Sequence, residues 1–596
     1  MKKRWVVYEQ DLKLQDYIAK SLQINPLIAQ ILINRGIKTV EGINDFLTSS
    51  INNLHDPFLL PDMKKAVERV GRAISSGEGI LIYGDYDVDG VTATSLLYLF
   101  FKEIGYDASY YIPHRLREGY GLREDAIYKI KEKGISLIIT ADCGTTSNPQ
   151  VAAAQGLGID VIITDHHEPP DVLPQAYAVI NPNRTDSLYP FRDLAGVGVA
   201  MKLAQGVLQR RDMSYRTYMT YSSSKEIKEF NDPVTPQPLD PILHKYLDLV
   251  ALGTIADVSP LVGENRKLVK EGLKLLSKGE RKGIAALKLV SNLDGQNISV
   301  GIVGFTLAPR INAAGRLDDA DIGVMLLTTD SEEEAVRYAK MLDEKNRERQ
   351  RIEEEILNEV RERIDKNIDI NNTKAIVLSS ENWHQGVIGI IASRIVDEYY
   401  RPTILISIRE DGIGKGSARS IPAFHLYDGL LECSSYLDAF GGHKYAAGIT
   451  IRKDRIDLFS ERINEIVGAK LKNEDFVPRL YIDSEININD LNFKILKGFE
   501  LLEPFGISNP EPVFSISDVE ALYPKIVGKN HLKLKVRQER AQADAIGFNM
   551  GEKIQMFNKS ESGFDIAVTP RLNEWQGTLS IQMKIKDIKF PVSEDA

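Results

Sequence analysis

Cysteine is almost absent from this 596-residue chain, which carries only Cys143 and Cys433, far apart in sequence. That excludes a disulfide framework and a cysteine zinc site, and it fits a reducing compartment. Cys143 reads as a packed small side chain. Long apolar runs are absent too: no window approaches the roughly eighteen apolar residues of a membrane span. The opening stretch MKKRWVVYEQDLKLQD lacks the apolar core and small-residue cleavage site of a secretory signal. The expectation is a cytoplasmic protein that makes no use of a membrane. Positive charge is outweighed, with 74 Lys and Arg against 84 Asp and Glu and a formal charge of -10. This speaks against a nucleic-acid coat, although an acidic total can hide a basic groove when part of the excess is metal-binding aspartate. What is plentiful is core material: 43% of the residues are hydrophobic, enough for roughly three or four domains.

The densest chemical feature is Tyr83 to Thr94, YGDYDVDGVTAT, which sets Asp85, Asp87 and Asp89 at alternate positions. Three carboxylates so close repel one another, and a fold gains nothing from them unless a cation is bound. The apolar run Ile80-Leu81-Ile82-Tyr83 predicts a buried parallel strand before them, and Val91 to Ile104 predicts an amphipathic helix after them. The acids thus sit beyond the carboxyl end of a strand, where ligands bind in open α/β sheets. Calcium loops also space Asp by two, but an EF-hand is flanked by helices and ends on a bidentate Glu, and neither is present.

From Gly79 the apolar pattern alternates strand and helix. Strands are predicted at 79–84, 107–112, 136–140, 160–164 and 177–181, with helices around 91–104, 123–133 and 148–156. This is the pattern of a parallel sheet covered on both faces. Two more strands end as the first does: Leu137 to Thr140 runs into Asp142, and Val161 to Thr164 runs into Asp165-His166-His167. Asp257 follows the apolar helix Ile242 to Ala256. A lone Asp after a strand is usually a turn or cap residue, but recurrence at successive strand ends is not. Oxygen ligands with one or two imidazoles suit Mn²⁺ or Mg²⁺ and disfavour a structural zinc. A set of this size is enough for two ions sharing a carboxylate.

Residues 1 to about 70 carry short helical patterns broken by Pro26, Pro57 and Pro61, and are expected to cap the first domain. Residues 205–241, rich in Tyr, Ser and Pro with Arg210 and Arg211, read as a surface insertion, more an ordinary loop than a nucleic-acid contact. Pro309 to Asp321 offers Arg310, Asn312 and Arg316. Ser331-Glu332-Glu333-Glu334 starts a very charged helix of about 35 residues, roughly 50 Å long, expected to be a strut between domains. A second α/β unit follows at 374 to about 471. Its small residues around Ser417 and Arg419, and Gly441-Gly442 before His443, let backbone amides approach an anion such as phosphate. For Arg316 and Arg419 an ordinary salt bridge is the competing reading, and for His443 a buried, hydrogen-bonded histidine. From about Pro478 the chain turns strand-rich, suggesting a small closed barrel of the oligonucleotide-binding type. There Lys533, Lys535 and Arg537 alternate with Leu532, Leu534 and Val536, which makes one face of a strand cationic, a nucleic-acid contact or a merely solvated face. The fold expected is α/β: cap and parallel-sheet domain over 1–325, connecting helix over 326–370, second α/β domain over 371–472 and barrel over 473–596.

Taken in order, the DxDxDG turn at Asp85, the ADCG turn at Asp142, the DHH at 165–167, GTIADV at Asp257 and Gly441-Gly442-His443 resemble the DHH phosphoesterase superfamily with its companion DHHA1 domain. The resemblance is closest to its branch of single-strand-specific 5′ to 3′ DNA exonucleases, and it spans essentially the whole chain. It implies Asp85, Asp87, Asp142, His166 and Asp257 as ligands of two Mn²⁺ or Mg²⁺ ions, Asp142 bridging, with Asp89, Asp165 and His167 in or just behind that set. It also implies a 5′-phosphate pocket from Arg316, Ser417 and Arg419, strand contacts from Arg115 and Arg117, and a setting in DNA repair and recombination. Asn312, His443, Lys533, Lys535 and Arg537 complete the candidate substrate contacts. The implied partners of what would be a monomer are single-stranded DNA, single-strand-binding protein and a RecQ-type helicase. Two ions about 3.5 to 4 Å apart would acidify a water and stabilise the leaving 3′ oxygen, so no side-chain nucleophile is needed. His167 would protonate that oxygen or orient its neighbour. The rival reading is a small-substrate DHH phosphodiesterase acting on short oligonucleotides or cyclic dinucleotides, for which barrel, strut and cationic strand are superfluous.

Overall fold

The computed structural model describes residues 3–115, 118–119, 121–221, 239–317, 319–557, 563–575 and 578–590. Arg117 and residues 222–238 of the predicted insertion lie outside the described residues. The chain divides into two compact units, residues 48–350 with 504–510, and residues 1–47 with 351–503 and 511–596.

In the first unit the strands lie in the order Ser109–Tyr111, Gly79–Gly84, Ile135–Ala141, Asp160–Thr164, Ala178–Ile180. All neighbours are parallel, with Ile82 opposite Ile139, Ile139 opposite Ile162 and Ile163 opposite Val179. The central strands are apolar along their length because both faces are covered. Ile80, Ile82, Leu137, Ile139 and Ile162 join the core formed with Val88–Glu103, Gly196–Tyr221 and Leu247–Ala256. Leu81, Tyr83, Ile138, Val161 and Ile163 pack with Glu124–Glu132 and Asn148–Gly156. Each of these ten side chains is at most 3% exposed. At about 1.5–3 kcal/mol for each large apolar side chain buried, this packing makes the carboxyl edge of the sheet a rigid platform. Cys143 is buried in the second of these cores, as expected.

The predicted insertion does not begin as a loop. Residues 205–221 continue the helix Gly196–Tyr221, with Gln205, Val207 and Leu208 buried. A methyl on Gly206 would stand 3.0 Å from Val67, so the helix runs tightly over the core there. The same helix is anchored by buried Lys202, whose Nζ donates to Glu264 Oε1 at 2.8 Å and to the His55 carbonyl at 2.8 Å. Glu264 also accepts from the Tyr189 hydroxyl, so the buried charges are paired and hydrogen-bonded.

The long helix, Glu332–Asn367, has 36 residues and contains the division between the two units at 350/351, but its middle is not solvated. Asp343, Asn346, Arg349 and Glu353 are buried. Asp343 accepts from Arg310 Nε at 2.9 Å and pairs with Arg347 at 2.8 Å, and Glu353 pairs with Arg394 at 2.6 Å. A charged helix can be buried when each charge meets its opposite, which is invisible to a hydropathy pattern.

In the second unit a mixed sheet runs Ala439–Gly442, Ala446–Arg452, Ile413–Arg419, Thr403–Ile408, Ile376–Ser380, only the last pair being parallel. Phe514–Val527, His531–Gln538, Ala541–Gly547, Thr578–Lys589 and Phe564–Trp575 pair in that order and close back on Phe514–Val527, a five-stranded barrel. The expected cap divides. Residues 1–47 belong to this unit, because Arg4–Val7 pairs in parallel with Arg479–Ile482 and Asn34 Nδ2 donates to the Asp483 carbonyl at 3.0 Å. Among the described residues no helix is long and apolar enough to cross a membrane.

Candidate metal centre

Each acid is delivered by the end of an element. Asp85 follows the strand Gly79–Gly84, and Asp87 caps the helix Val88–Glu103, its Oδ1 accepting from the amides of Asp89 at 2.9 Å and Gly90 at 3.1 Å. A side chain at Gly90 would stand 2.6 Å from the Asp85 backbone, so the turn requires glycine there. Asp142 follows Ile135–Ala141 with φ +65°, a left-handed conformation that costs a non-glycine residue energy. It is held there by its amide, which donates to the Thr164 carbonyl at 3.0 Å, and any side chain at Gly196 would collide with its Oδ1. Asp165 Oδ1 accepts from the amides of His166 at 2.8 Å and His167 at 3.1 Å and meets His167 Nδ1 at 2.7 Å, while Oδ2 accepts from the Thr145 amide at 2.9 Å. Asp165 is thus occupied in holding the backbone of both histidines and the ring of His167. Asp257, at the end of Leu247–Ala256, accepts from Ser259 Oγ at 2.5 Å.

These ends converge. His166 Nε2 stands 3.2 Å from Asp142 Oδ1 and 3.8 Å from Asp89 Oδ2. Within each of three sets the donor atoms lie no more than 4.8 Å apart: Asp85, Asp87 and Asp142; Asp142, His166 and His167; Asp89, His166 and Asp257. Asp142 and His166 each belong to two sets, so the sets merge into one cluster. Asp85 Oδ1 and His166 Nε2 are buried without a hydrogen bond, a state that native structures rarely leave unexplained. Carboxylate oxygens and an imidazole nitrogen so placed fit divalent cations such as Mn²⁺ or Mg²⁺.

The electrostatics agree. Burial first, and then neighbouring carboxylates, hold Asp85, Asp89 and Asp142 well above the usual carboxylate range, and burial also raises Asp257. Burial lowers His166, which favours the neutral ring that binds metals. His167 goes the other way: burial pulls it down, but the hydrogen bond and charge of Asp165 prevail and raise it to about 9. Asp165 is correspondingly held below the ordinary range against the push of its own burial.

Several residues of this centre escaped the sequence reading. The amides of Gly196 and Val197 donate to the Asp89 carboxylate at 2.7 and 2.9 Å, so a helix N-terminus clamps an acid over a hundred positions away. Asn181 Nδ2 donates to the His167 carbonyl at 2.8 Å, and Asn183 Nδ2 to the His166 carbonyl at 2.6 Å. Both follow the strand Ala178–Ile180, and the strand-end rule that found Asp142 and Asp165 would have flagged them too. Ser259, two residues past Asp257, had no such signal.

Residues 79–254 match the DHH family N-terminal domain, 372–469 the DHHA1 domain and 482–587 the RecJ OB domain. The chain is 38% identical to the single-stranded-DNA-specific exonuclease RecJ of Bacillus subtilis, over 98% of this chain and 71% of that one. The chain belongs to the RecJ family. The Salmonella typhimurium RecJ is 36% identical, over 94% of this chain and 96% of that one. The RecJ family fold is matched by a crystal structure of RecJ in complex with Mn²⁺ from Thermus thermophilus, 27% identical with a TM-score of 0.81, over 99% of this chain and 80% of that one. A crystal structure of exonuclease RecJ bound to manganese is 33% identical with a TM-score of 0.56, over 70% of this chain and 96% of that one. The resemblance read from motif order is borne out.

The other candidate residues of this RecJ-family chain fall into three places. Beside the metal turn, Arg115 lies over the Tyr86 ring at 4.9 Å, and Arg316 ends the helix Ala308–Leu317. Asn312 Oδ1 accepts from the Val88 amide at 3.2 Å, a structural use that needs no substrate. Arg310 is likewise spent on Asp343. In the second unit Arg419 Nη1 donates to Ser417 Oγ at 3.1 Å. A methyl on Gly389, in the first turn of Ile388–Tyr399, would stand 2.9 Å from Ser417 Oγ and 3.1 Å from Arg419 Nη2, so a helix N-terminus faces this pair. His443 is exposed in the turn between Ala439–Gly442 and Ala446–Arg452, which rules out the buried alternative. On the barrel Leu532, Leu534 and Val536 are buried while Lys533, Lys535 and Arg537 face outward. Arg537, however, donates through Nε to Glu520 Oε2 at 2.9 Å, so its charge is matched. The cationic face continues sideways as far as Lys525, which lies opposite Lys533; on the other side Ile546 follows, and the next cation, Lys584, stands 3.9 Å from Glu511.

Proposed function

We infer that this RecJ-family protein is a divalent-metal-dependent exonuclease of single-stranded DNA, and we propose that it works from the 5′ end and releases 5′-mononucleotides in DNA repair and recombination. The observation that carries the reading is the merging of three donor sets on Asp142 and His166, in a chain that also sets Lys525 opposite Lys533 on a barrel. In this reading Asp85, Asp87, Asp142, His166 and Asp257 hold two ions, and Asp89 joins them through its shared set with His166 and Asp257. When bound, Mn²⁺ or Mg²⁺ supplies Lewis acidity toward the phosphoryl oxygens and a more acidic water. The chain's own residues do the rest. Asp142 joins two donor sets. Asp165 holds the His167 ring through its Nδ1, where His167 would give a proton to the leaving 3′ oxygen or orient its neighbour. Ser417 and Arg419, under the helix N-terminus at Ile388, form a place for a phosphate, and Arg316 and Arg115 carry charge beside the metal turn. Arg117 is assigned to the strand on the resemblance alone. His443 is placed with the phosphate contacts. The resemblance is also the ground for proposing single-strand-binding protein and a RecQ-type helicase as partners, a monomeric state and a cytoplasmic setting.

The deciding assay incubates 5′-labelled single strands, duplexes, dinucleotides and pyrophosphate with Mn²⁺ and with chelator. Labelled mononucleotide released only from single strands, and only with Mn²⁺, is the expected result; preference for dinucleotides or pyrophosphate would overturn it. Ser259→Ala should raise the Mn²⁺ dissociation constant about tenfold in calorimetry, because the hydroxyl orients Asp257; an unchanged constant would remove Asp257 from the ligand set. Lys533→Glu should raise KM severalfold on long strands and lower the salt slope of binding by roughly 0.7 for each phosphate it no longer neutralises. An unaltered salt slope would leave that strand face merely solvated.

A further inference from the structure

Phe305 is 89% exposed, the most exposed large apolar side chain among the described residues. It sits in a π-helical turn, Val303–Leu307, between Val300–Ile302 and the helix Ala308–Leu317. Such wide turns interrupt the regular backbone hydrogen bonding and recur at functional sites. The two glycines before it leave the ring bare: a methyl on Gly304 would meet nothing within 4 Å, and one on Gly301 only Ser299 Oγ at 3.8 Å. Phe305, Pro309, Asn312 and Arg316 recur at helical spacing and are all at least partly exposed, so they form one stripe. The far end of that stripe touches the metal turn. Asn312 accepts from the Val88 amide, the charge of Arg316 acts on the Tyr86 hydroxyl, and a side chain at Gly315 would collide with the Tyr86 carbonyl. Seven residues of helix place Phe305 about 10 Å from Asn312 along the axis.

We propose that Phe305 is a stacking platform for one base of the strand being degraded, a few nucleotides from the scissile phosphate. The proposal rests on the single-strand reading above. A lone aromatic ring preceded by glycines is not the contiguous apolar patch that a protein partner or a second copy would cover. It does match a nucleobase, whose flat face needs a single ring, and the arginine and metal turn farther along the stripe match the phosphates that follow it. Stacking of this kind accepts any base, because every base has a flat π-face. The widened turn is then the device that aims the ring outward from a helix whose other face is core.

The test measures equilibrium binding of single strands by anisotropy in chelator, where no cleavage occurs, for wild type, Phe305→Ala and Phe305→Trp. Phe305→Ala is expected to bind about tenfold more weakly, with an unchanged melting temperature, and Phe305→Trp to bind like wild type. Strands carrying one abasic site at successive positions should show an affinity loss at one position in wild type and none in Phe305→Ala. Equal binding by all three proteins, or no position-dependent loss, would overturn the proposal. So would a dimer that Phe305→Ala dissociates without change in strand affinity, since the ring would then belong to an interface. If wild type binds strands with this Phe305 dependence yet releases no nucleotide in Mn²⁺, the exonuclease reading fails while the stacking contact stands.

Discussion

Asp142→Asn is expected to slow single-strand cleavage by at least about 10³-fold, a loss of some 4 kcal/mol of transition-state stabilisation, while strand affinity in chelator stays within about twofold. Asp142 is the sharpest choice because it belongs to two donor sets at once; losing its charge weakens the whole centre, whereas losing Asp87 would weaken one set. Its backbone decides which substitution is informative. At φ +65° asparagine is tolerated and alanine is strained by about 1–2 kcal/mol. Asp142→Ala should therefore lose the same activity and melt lower, and Asp142→Asn should lose activity without that extra loss of stability. The two variants separate a chemical role from a structural one. Single-turnover release of labelled nucleotide and thermal melts, run side by side, read both. Turnover by Asp142→Asn near the wild-type rate in saturating Mn²⁺ would sink the assignment.

What the sequence made legible follows from where the information is local. An apolar run as short and β-branched as Leu137 to Thr140 reads as a strand covered on both faces, and the polar residue just beyond it then sits at the carboxyl edge of the sheet, so Asp142 and Asp165 could be placed from neighbours within a few positions. Partners brought by other elements could not. Nothing near Asp89 in sequence announces that Gly196 and Val197 will clamp it, and nothing near Arg537 says that Glu520, on the preceding strand of the barrel, will take its charge. The helix over 205–221 was hidden by its composition, since Tyr, Ser and Arg read as loop while its buried first half reads as core only once Met63 and Val67 are known to lie beneath it. The burial of the long helix's middle was hidden for a related reason: hydropathy treats Asp343 and Glu353 as solvated, and only Arg310 and Arg394 make their burial tolerable. The placement of residues 1–47 depended on a parallel pairing with residues 479–482 that no local pattern encodes.

The second large effect is expected from removing the metal. In chelator the folded protein holds carboxyls Asp85, Asp89, Asp142 and Asp257 above their ordinary range, so between the unfolded value, about 3.9, and each folded value the native state binds more protons than the unfolded one. Stability then falls as pH rises through that window. His167 adds to the fall higher up. Its value, raised to about 9, means that its pairing with Asp165 contributes fully below the ordinary imidazole range near 6.5 and is lost as pH climbs through 9. Asp165 has the opposite sign, since a depressed carboxyl stabilises above its ordinary range and gives way only in acid. The chelated protein should accordingly melt at progressively lower temperature from pH 6 to pH 9. Mn²⁺ at a hundred times its dissociation constant should restore about 2.7 kcal/mol, several degrees of melting temperature, and at one fixed Mn²⁺ concentration the gap should widen with pH because the ligands bind as deprotonated groups. His167→Asn should flatten the chelator curve between about pH 6.5 and 9 and leave the Mn²⁺ effect largely in place. A chelator curve that is level or rises from pH 6 to 9, or a melting temperature indifferent to Mn²⁺, would show that these acids are not gathered for a cation.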